Sequence, residues 1–393
     1  MAGPLEGLKV LDFSVLLPGP FGTQILADLG AEVLRVEAPG RGDMMRDLEP
    51  KAGTSSAAHA SINRNKRSLT LDLKKPAALD IVHQLVADYD IVVEQFRPGV
   101  MTRLGLGYDA LAKINPRLIY CSITGYGQTG RYKDRAGHDI NYLALSGLAS
   151  FSGRQDTGPV LSGTQIADVA GGSLHGVMGI MAAVIERYRT GKGQHVDVSM
   201  SDAALSLTAI CGAEALASGV APGFGSEMLN GGSFYDYYQT ADGRYLSIGS
   251  LEPKFFTALF AVLGKPEWSQ RMADQSVEAQ QALKSDLQQL IGQKDFQHWS
   301  DTFAGLDACV EPVLDMNEVS ESAHFNDRNM FVDVPCNTGE TLRQIASPVK
   351  FSNSEARYDF AGVALGYHTD EVLTECGLSS EAITDLRNDG VIL

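Results

Sequence analysis

The chain lacks most of the marks by which protein classes can be told apart. Its five cysteines, Cys121, Cys211, Cys309, Cys336 and Cys376, are scattered, odd in number and never spaced Cys-x-x-Cys. That argues against a disulfide framework or a zinc knuckle and points to a reducing cytoplasm. Bases are in deficit, 32 Lys and Arg against 48 Asp and Glu, and the net charge of −16 disfavours nucleic acid or an anionic membrane as partner. No run of about eighteen apolar residues is present, and the start of the chain runs into a strand without a basic or cleavage-type segment, so the expectation is a soluble, unexported protein. No His-x-x-x-His or paired-acid spacing suggests a metal, and no serine sits in a Gly-x-Ser-x-Gly elbow.

What is present is a core-forming chain of 393 residues, 44% hydrophobic, long enough for two domains or one elaborated one. Strands at Lys9 to Phe13, Val33 to Val36, Ser68 to Leu73, Ile91 to Val93 and Leu118 to Ile123 alternate with helical patterns. This predicts an open, largely parallel, Rossmann-like α/β sheet. A long helix follows from Asp168 to Arg189, then a strand at His195 to Val198 and a helix from about Ser201 to Ala217. The Gly-rich stretch 218–232 reads as a linker. A hairpin, Phe234 to Thr240 with Arg244 to Ile248, and three helical stretches define a smaller α+β domain over 233–330. Residues 331–393 return to a large domain spanning 1–217.

The first strand–helix unit invites a nicotinamide reading, with Glu37 as the ribose acid, but Pro18-Gly19-Pro20-Phe21-Gly22 puts bulk where the pyrophosphate fingerprint needs glycine. Positive charge gathers at Arg64, Lys66, Arg67, Lys74 and Lys75 and again at Arg97 and Arg103. These residues suit phosphates if they converge, and an ordinary solvated surface if they do not.

The most telling run is Gly137-His138-Asp139-Ile140-Asn141-Tyr142, followed further on by Asp168 before Val169-Ala170-Gly171-Gly172. His138 stands at a helix start rather than on an apolar face, and histidine is the commonest general base. Asp168 reads first as a helix N-cap, but two glycines in the first turn suggest a helix start stripped so that a ligand can reach free amides. An imidazole and a carboxylate on two helix starts are the parts needed to move a proton across one carbon.

Taken with Gly7 to Glu37, Arg64-Asn65-Lys66-Arg67, Leu71 to Lys74, Arg97-Pro98-Gly99-Val100, Gly125-Tyr126-Gly127 and His368 to Leu373, these residues resemble the family III CoA-transferase superfamily over nearly the whole chain. The Gly137 to Tyr142 run, Asp168 and Ile248 to Pro253 resemble its α-methylacyl-CoA racemase branch. That resemblance implies a CoA thioester substrate, no cofactor beyond it, and an interlocked homodimer. It implies His138 and Asp168 as acid/bases, with Glu252 supporting His138. It places Arg35, Leu71, Asp72, Leu73, Lys74, Gln95, Phe96, Arg97, Arg103, Gly137, Asp139, Ile140, Asn141 and Tyr142 at the CoA site. At Ala38 the chain departs from an arginine that such racemases often carry, a loss for which Lys74 or Arg103 would compensate. Apolar residues such as Met200, Met228 or Phe234 would line the acyl pocket.

Racemisation would pass through an enolate, whose oxygen needs donors where charge develops, with one base on each face. The rival within the family uses Asp168 as a nucleophile to move CoA between acids. Transferase members lack the Gly-His-Asp-Ile-Asn-Tyr run and carry a longer glycine-rich loop, where this chain has only Gly231-Gly232. A CoA-ester binding protein without turnover is a third reading, and the intact His138 and Asp168 weigh against it.

Overall fold

The structure, a computed structural model, describes residues 3–393. Six strands, β1 (Lys9–Asp12), β2 (Glu32–Glu37), β3 (Lys66–Thr70), β4 (Ile91–Glu94), β5 (Ile119–Thr124) and β6 (His195–Ser199), form one parallel sheet in the order β3-β2-β1-β4-β5-β6. The central strands β1, β4 and β5 are short and nearly continuously apolar, as expected where both faces are covered. Adjacent residues point to opposite faces. Leu11, Leu34 and Val92 therefore pack on one side with Ile81, Val82 and Leu85 of α2 (Pro76–Asp88), while Val10, Val33 and Ile91 pack on the other. Helix α1 (Pro18–Asp28) has proline at its first position and ends before Gly30, whose φ of +101° turns the chain into β2.

Helix α3 (Asp139–Leu145) follows β5. The long helix winds as a π-helix over Ala167–Leu174 and continues as α4 (His175–Thr190), with Ile180, Ala183 and Val184 buried in the second core layer. Residues 167–190 are long and apolar enough to cross a membrane by length and composition, although no unbroken apolar run occurs there. Helix α5 (Met200–Ser206) stops at Leu207, and a separate helix, α6 (Ala209–Ser218), begins after Thr208. The single helix expected from Ser201 to Ala217 is thus two, and the division between units falls at this break.

One unit comprises residues 1–146, 162–207 and 323–393, the other 147–161 and 208–322. The sequence boundaries at 217 and 330 differ from these, and the sequence places residues 147–161 in the large domain. They belong to the smaller unit because the Arg154 guanidinium binds the Asp236 carboxylate (2.6 Å) and Asn230 Nδ2 donates to the Phe151 carbonyl (3.2 Å). That unit holds an antiparallel sheet of β7 (Asp236–Gln239), β8 (Tyr245–Ile248) and β9 (Val310–Pro312). With it pack helices α7 (Pro253–Val262), α8 (Val277–Ile291) and α9 (Phe296–Phe303), around Phe234, Phe260, Leu287 and Trp299. In the first unit the C-terminal residues close the β3 edge, where the His368 amide donates to Ser68 O (2.9 Å) and the Leu393 amide to Thr70 Oγ1 (2.9 Å).

A buried ion pair ties β1, α1 and β3 together. Lys66 Nζ donates to Asp12 Oδ2 (3.2 Å), Pro20 O (2.8 Å), Thr23 Oγ1 (2.7 Å) and Asn63 Oδ1 (2.9 Å). Burial alone would raise the Asp12 pKa, but Lys66, Arg35 and two hydroxyls outweigh it and hold the carboxyl below its usual range. Lys66→Ala strands that carboxylate in the core and is expected to cost about 3–5 kcal/mol in urea denaturation. A loss below about 1 kcal/mol would show that the pair is replaceable.

Candidate active site

A cavity of about 420 Å³ opens beyond the carboxyl ends of β1, β4 and β5, where the strand order reverses. Open α/β sheets place ligands at such a switch point, because loops from the two halves diverge there. Its wall brings together His138, Asp168, Gly137, Asn141 and Tyr142 with Gln95, Phe96 and Arg97.

The two acid/base candidates are joined through the residue between them in the motif. One Asp139 carboxylate oxygen accepts the backbone amides of Ala167 (2.6 Å) and Asp168 (3.1 Å), so the start of α3 and the start of the long helix share one anchor. The His138 amide in turn donates to Asn141 Oδ1 (3.0 Å), which closes the first turn of α3. Tyr142 donates its phenol to Gly137 O (2.6 Å), and its ring occupies the space that side chains at Gly125 and Gly137 would need: a Cβ on either would lie within 2.7 Å of it. The glycine before His138 is therefore a packing requirement.

Asp168 is not the N-cap expected from the sequence; it lies inside the π-helical start. The stripped-helix reading also fails. The Ala167 and Asp168 amides are held by Asp139, and that of Val169 by Gln165 O (2.8 Å). Gly171 and Gly172 serve close packing, since a Cβ on Gly172 would sit 2.8 Å from Pro18 Cβ and one on Gly171 3.3 Å from Met200 O.

Burial pushes the Asp168 carboxyl up to about 6, the Asp139 carboxylate adds to the rise, and His138 opposes it. Burial first, then the nearby carboxylates, also raises the Tyr142 phenol to about 12, so it remains a donor. Among the described residues, no cluster of three or more His, Cys, Asp or Glu is placed to hold a metal.

Of the other residues expected here, the Gln95 to Arg97 turn is held in place from both sides. Gln95 Oε1 accepts the Gly19 amide (2.9 Å), and the buried Glu94 carboxylate accepts the Phe96 amide (2.8 Å). Asp139 anchors the site without lining the cavity, and Ile140 points away, half exposed. Leu71 is a core residue, and Asp72, Leu73, Lys74 and Arg103 do not line the cavity either.

Arg35 is buried, bound to the Asp43 carboxylate and 3.9 Å from Glu37, so its guanidinium is already engaged. Basic residues of the β3 edge do not converge on a phosphate. Arg64 pairs with Asp28 (2.6 Å), Lys66 with Asp12, and Arg67 with Glu375 (2.8 Å), because charges on a buried strand need partners of their own. Lys133 and Arg135, from the loop before Gly137, supply positive charge at the cavity instead. Glu252 lies in the second unit, exposed at the start of α7. Met200 does line the cavity, whereas Met228 and Phe234 belong to the second unit, Phe234 in its core.

Leu16 also lines the cavity, and no feature of the sequence announced it: its φ of +61° is a left-handed conformation costing of order 1–3 kcal/mol in a non-glycine residue.

The profile described as CoA-transferase family III matches residues 5–369. The chain belongs to this family. The family III chain is 38% identical to the human (Homo sapiens) alpha-methylacyl-CoA racemase, over 99% of this chain and 97% of that one. It is 36% identical to an acyl-CoA transferase of Fusarium pseudograminearum, over 99% and 88%. Among solved structures, a CAIB/BAIF family protein from Brucella suis superposes with a TM-score of 0.84 at 32% identity, covering 96% of this chain and all of that one. This is an enzyme family, and an acyl-CoA substrate is consistent with it.

Asp139→Asn removes the negative neighbour but leaves an oxygen for the two amides. The Asp168 midpoint, followed by carboxyl-carbon NMR, should then move down from about 6 toward the ordinary carboxylate range. A midpoint that stays or rises would assign the shift to burial alone.

Proposed function

We propose that this family III enzyme epimerises 2-methylacyl-CoA thioesters by 1,1-proton transfer through an enolate, with His138 and Asp168 as the two acid/bases. The observation that carries this reading is the imidazole and the carboxyl group lining one cavity, their helix starts tied by Asp139. One base removes the α-proton and the other delivers a proton to the opposite face of the planar intermediate. A carboxyl group near pH 6 can act in either role at neutrality.

The developing oxyanion needs donors, and those of the long helix are engaged. Asn141, which lines the cavity in the first turn of α3 with its Oδ1 held by the His138 amide, offers its side-chain amide N–H as the donor we assign. Arg97, Lys133 and Arg135 would meet the phosphates of CoA. No cofactor beyond CoA itself is part of this proposal. The five free cysteines fit a reducing cytoplasm.

The 36% identity to an acyl-CoA transferase favours a second reading: Asp168 attacks an acyl thioester and expels CoA thiolate to form an anhydride, the thiolate attacks the Asp168 carbonyl to give an aspartyl-CoA thioester and release the first acid, and a second carboxylate leaves as its CoA thioester by the reverse steps. Incubation of a 2-methylacyl-CoA in D₂O separates the two. Racemisation labels the α-carbon and scrambles its configuration; exchange of CoA onto a free carboxylate without label means transfer. Asp168→Asn should lower the labelling rate by roughly 10²-fold or more while CoA-ester binding persists. His138→Ala should impair exchange from one enantiomer more than from the other. In the direction where Asp168 is the base, the rate should fall as pH drops below about 6, because only the ionised carboxylate can accept the proton.

We also propose a homodimer. Leu174, Met178, Ile185 and Tyr188 form an exposed apolar stripe along the long helix, on the face opposite its buried one. Ile185→Glu places charge on that stripe and should shift the mass measured by sedimentation from dimer to monomer. An unchanged dimer would remove the stripe from the interface.

A further inference from the structure

The strained residue at the cavity is held by a buried ion pair that the proposed chemistry leaves unused. Leu16 is in the left-handed region (φ +61°), and its amide donates to Asp43 Oδ2 (2.8 Å). Asp43 is buried and fixed from two directions: Arg35 Nη2 binds its carboxylate, and its own amide donates to Glu37 Oε1 (3.1 Å). Arg35 Nη2 also reaches Ser14 O (3.4 Å), while the Ser14 amide and hydroxyl both donate to Asp12. Residues 14 to 16 are thus held at three points before Pro18 begins α1, and both Leu16 and Pro18 face the cavity that holds His138 and Asp168. Backbone strain persists only where the surroundings over-determine it, and it collects at sites where geometry matters to function.

We propose that Asp43, oriented by Arg35, is a positioning residue that acts through Leu16: it fixes Leu16 as an apolar wall against which the acyl thioester is aligned between its two bases. The inference rests on the racemase reading for the identity of those bases, but the coupling of Asp43 to Leu16 does not. Proton transfer to and from carbon tolerates little misplacement, so a displaced wall shows in turnover more than in binding.

The test is a double-mutant cycle in the full-length enzyme with Asp43→Ala and Leu16→Ala. It is run on whichever reaction the wild type catalyses, α-proton exchange or CoA transfer, so loss of the racemase reading leaves it valid. Each single variant is expected to lower kcat roughly 10- to 100-fold and to change KM for the thioester by less than about three-fold. The double variant should be no slower than the slower single one. Asp43→Asn keeps an oxygen for the Leu16 amide but loses the charge that Arg35 holds. It should give a smaller fall that disappears in the Leu16→Ala background, and it serves the cycle if Asp43→Ala does not fold. Wild-type kcat in Leu16→Ala, multiplicative losses in the double variant, or variants that shift only the thermal midpoint would each overturn the proposal.

Discussion

The site depends on one carboxylate accepting two amides. Asp139 binds the first turn of the long helix at Ala167 and Asp168, and because it is the neighbour of His138 in sequence, that contact also fixes the imidazole's helix relative to the carboxyl group. Helix starts normally leave such amides for a capping side chain of their own or for water. Here the cap comes from another helix. The same arrangement places a negative group beside Asp168, so the structural anchor adds to the rise in carboxyl pKa that burial chiefly causes.

Around that anchor, close approach is obtained by leaving side chains out and direction by burying charges in pairs. Gly125 and Gly137 make room for the Tyr142 ring, and Gly171 and Gly172 let the long helix lie against Pro18 and Met200. On the other side of the cavity, Asp12 with Lys66 and Arg35 with Asp43 hold the loop that leads into α1. Each buried pair is costly to desolvate, and the cost is offset by the hydrogen bonds it keeps, although Arg35 Nε, 3.9 Å from Glu37, makes none. Their benefit lies in the conformation they impose on residues 14 to 18, which an apolar core could not direct.

The sheet was legible because parallel strands covered on both faces leave a dense apolar signal, and the helices between them keep a clear period. The His138 and Asp168 pairing was legible as two helix starts with chemical side chains. What could not be read was where charges would find partners. Arg64 and Lys66 look in sequence like phosphate ligands and the resemblance puts Arg35 at the CoA site, yet all three are buried in ion pairs, because a formal charge carries no record of the strand that will bury it. Lys133 and Arg135 leave no signal in sequence, since a loop base has no periodicity. The glycines after Asp168 pointed to the right helix for the wrong reason: a missing Cβ admits a ligand or a neighbouring helix equally well, and only packing distinguishes the two. Leu16 left no signal at all, since a leucine in the left-handed region is imposed by distant partners rather than by its own preference.

The raised carboxyl group also bears on how one cavity could serve two chemistries. A carboxylate at its ordinary pKa would hold a proton too weakly near neutrality to return it to carbon, whereas a group at about 6 is mostly ionised at pH 7 yet keeps a usable protonated fraction. That property helps a nucleophile as well, so it does not choose between proton transfer and acyl transfer by itself. The choice rests on what stands across the reacting carbon. On the proposed reading, a second proton-handling group makes the planar intermediate productive from either face, and the Asp139 anchor keeps His138 in place to be that group.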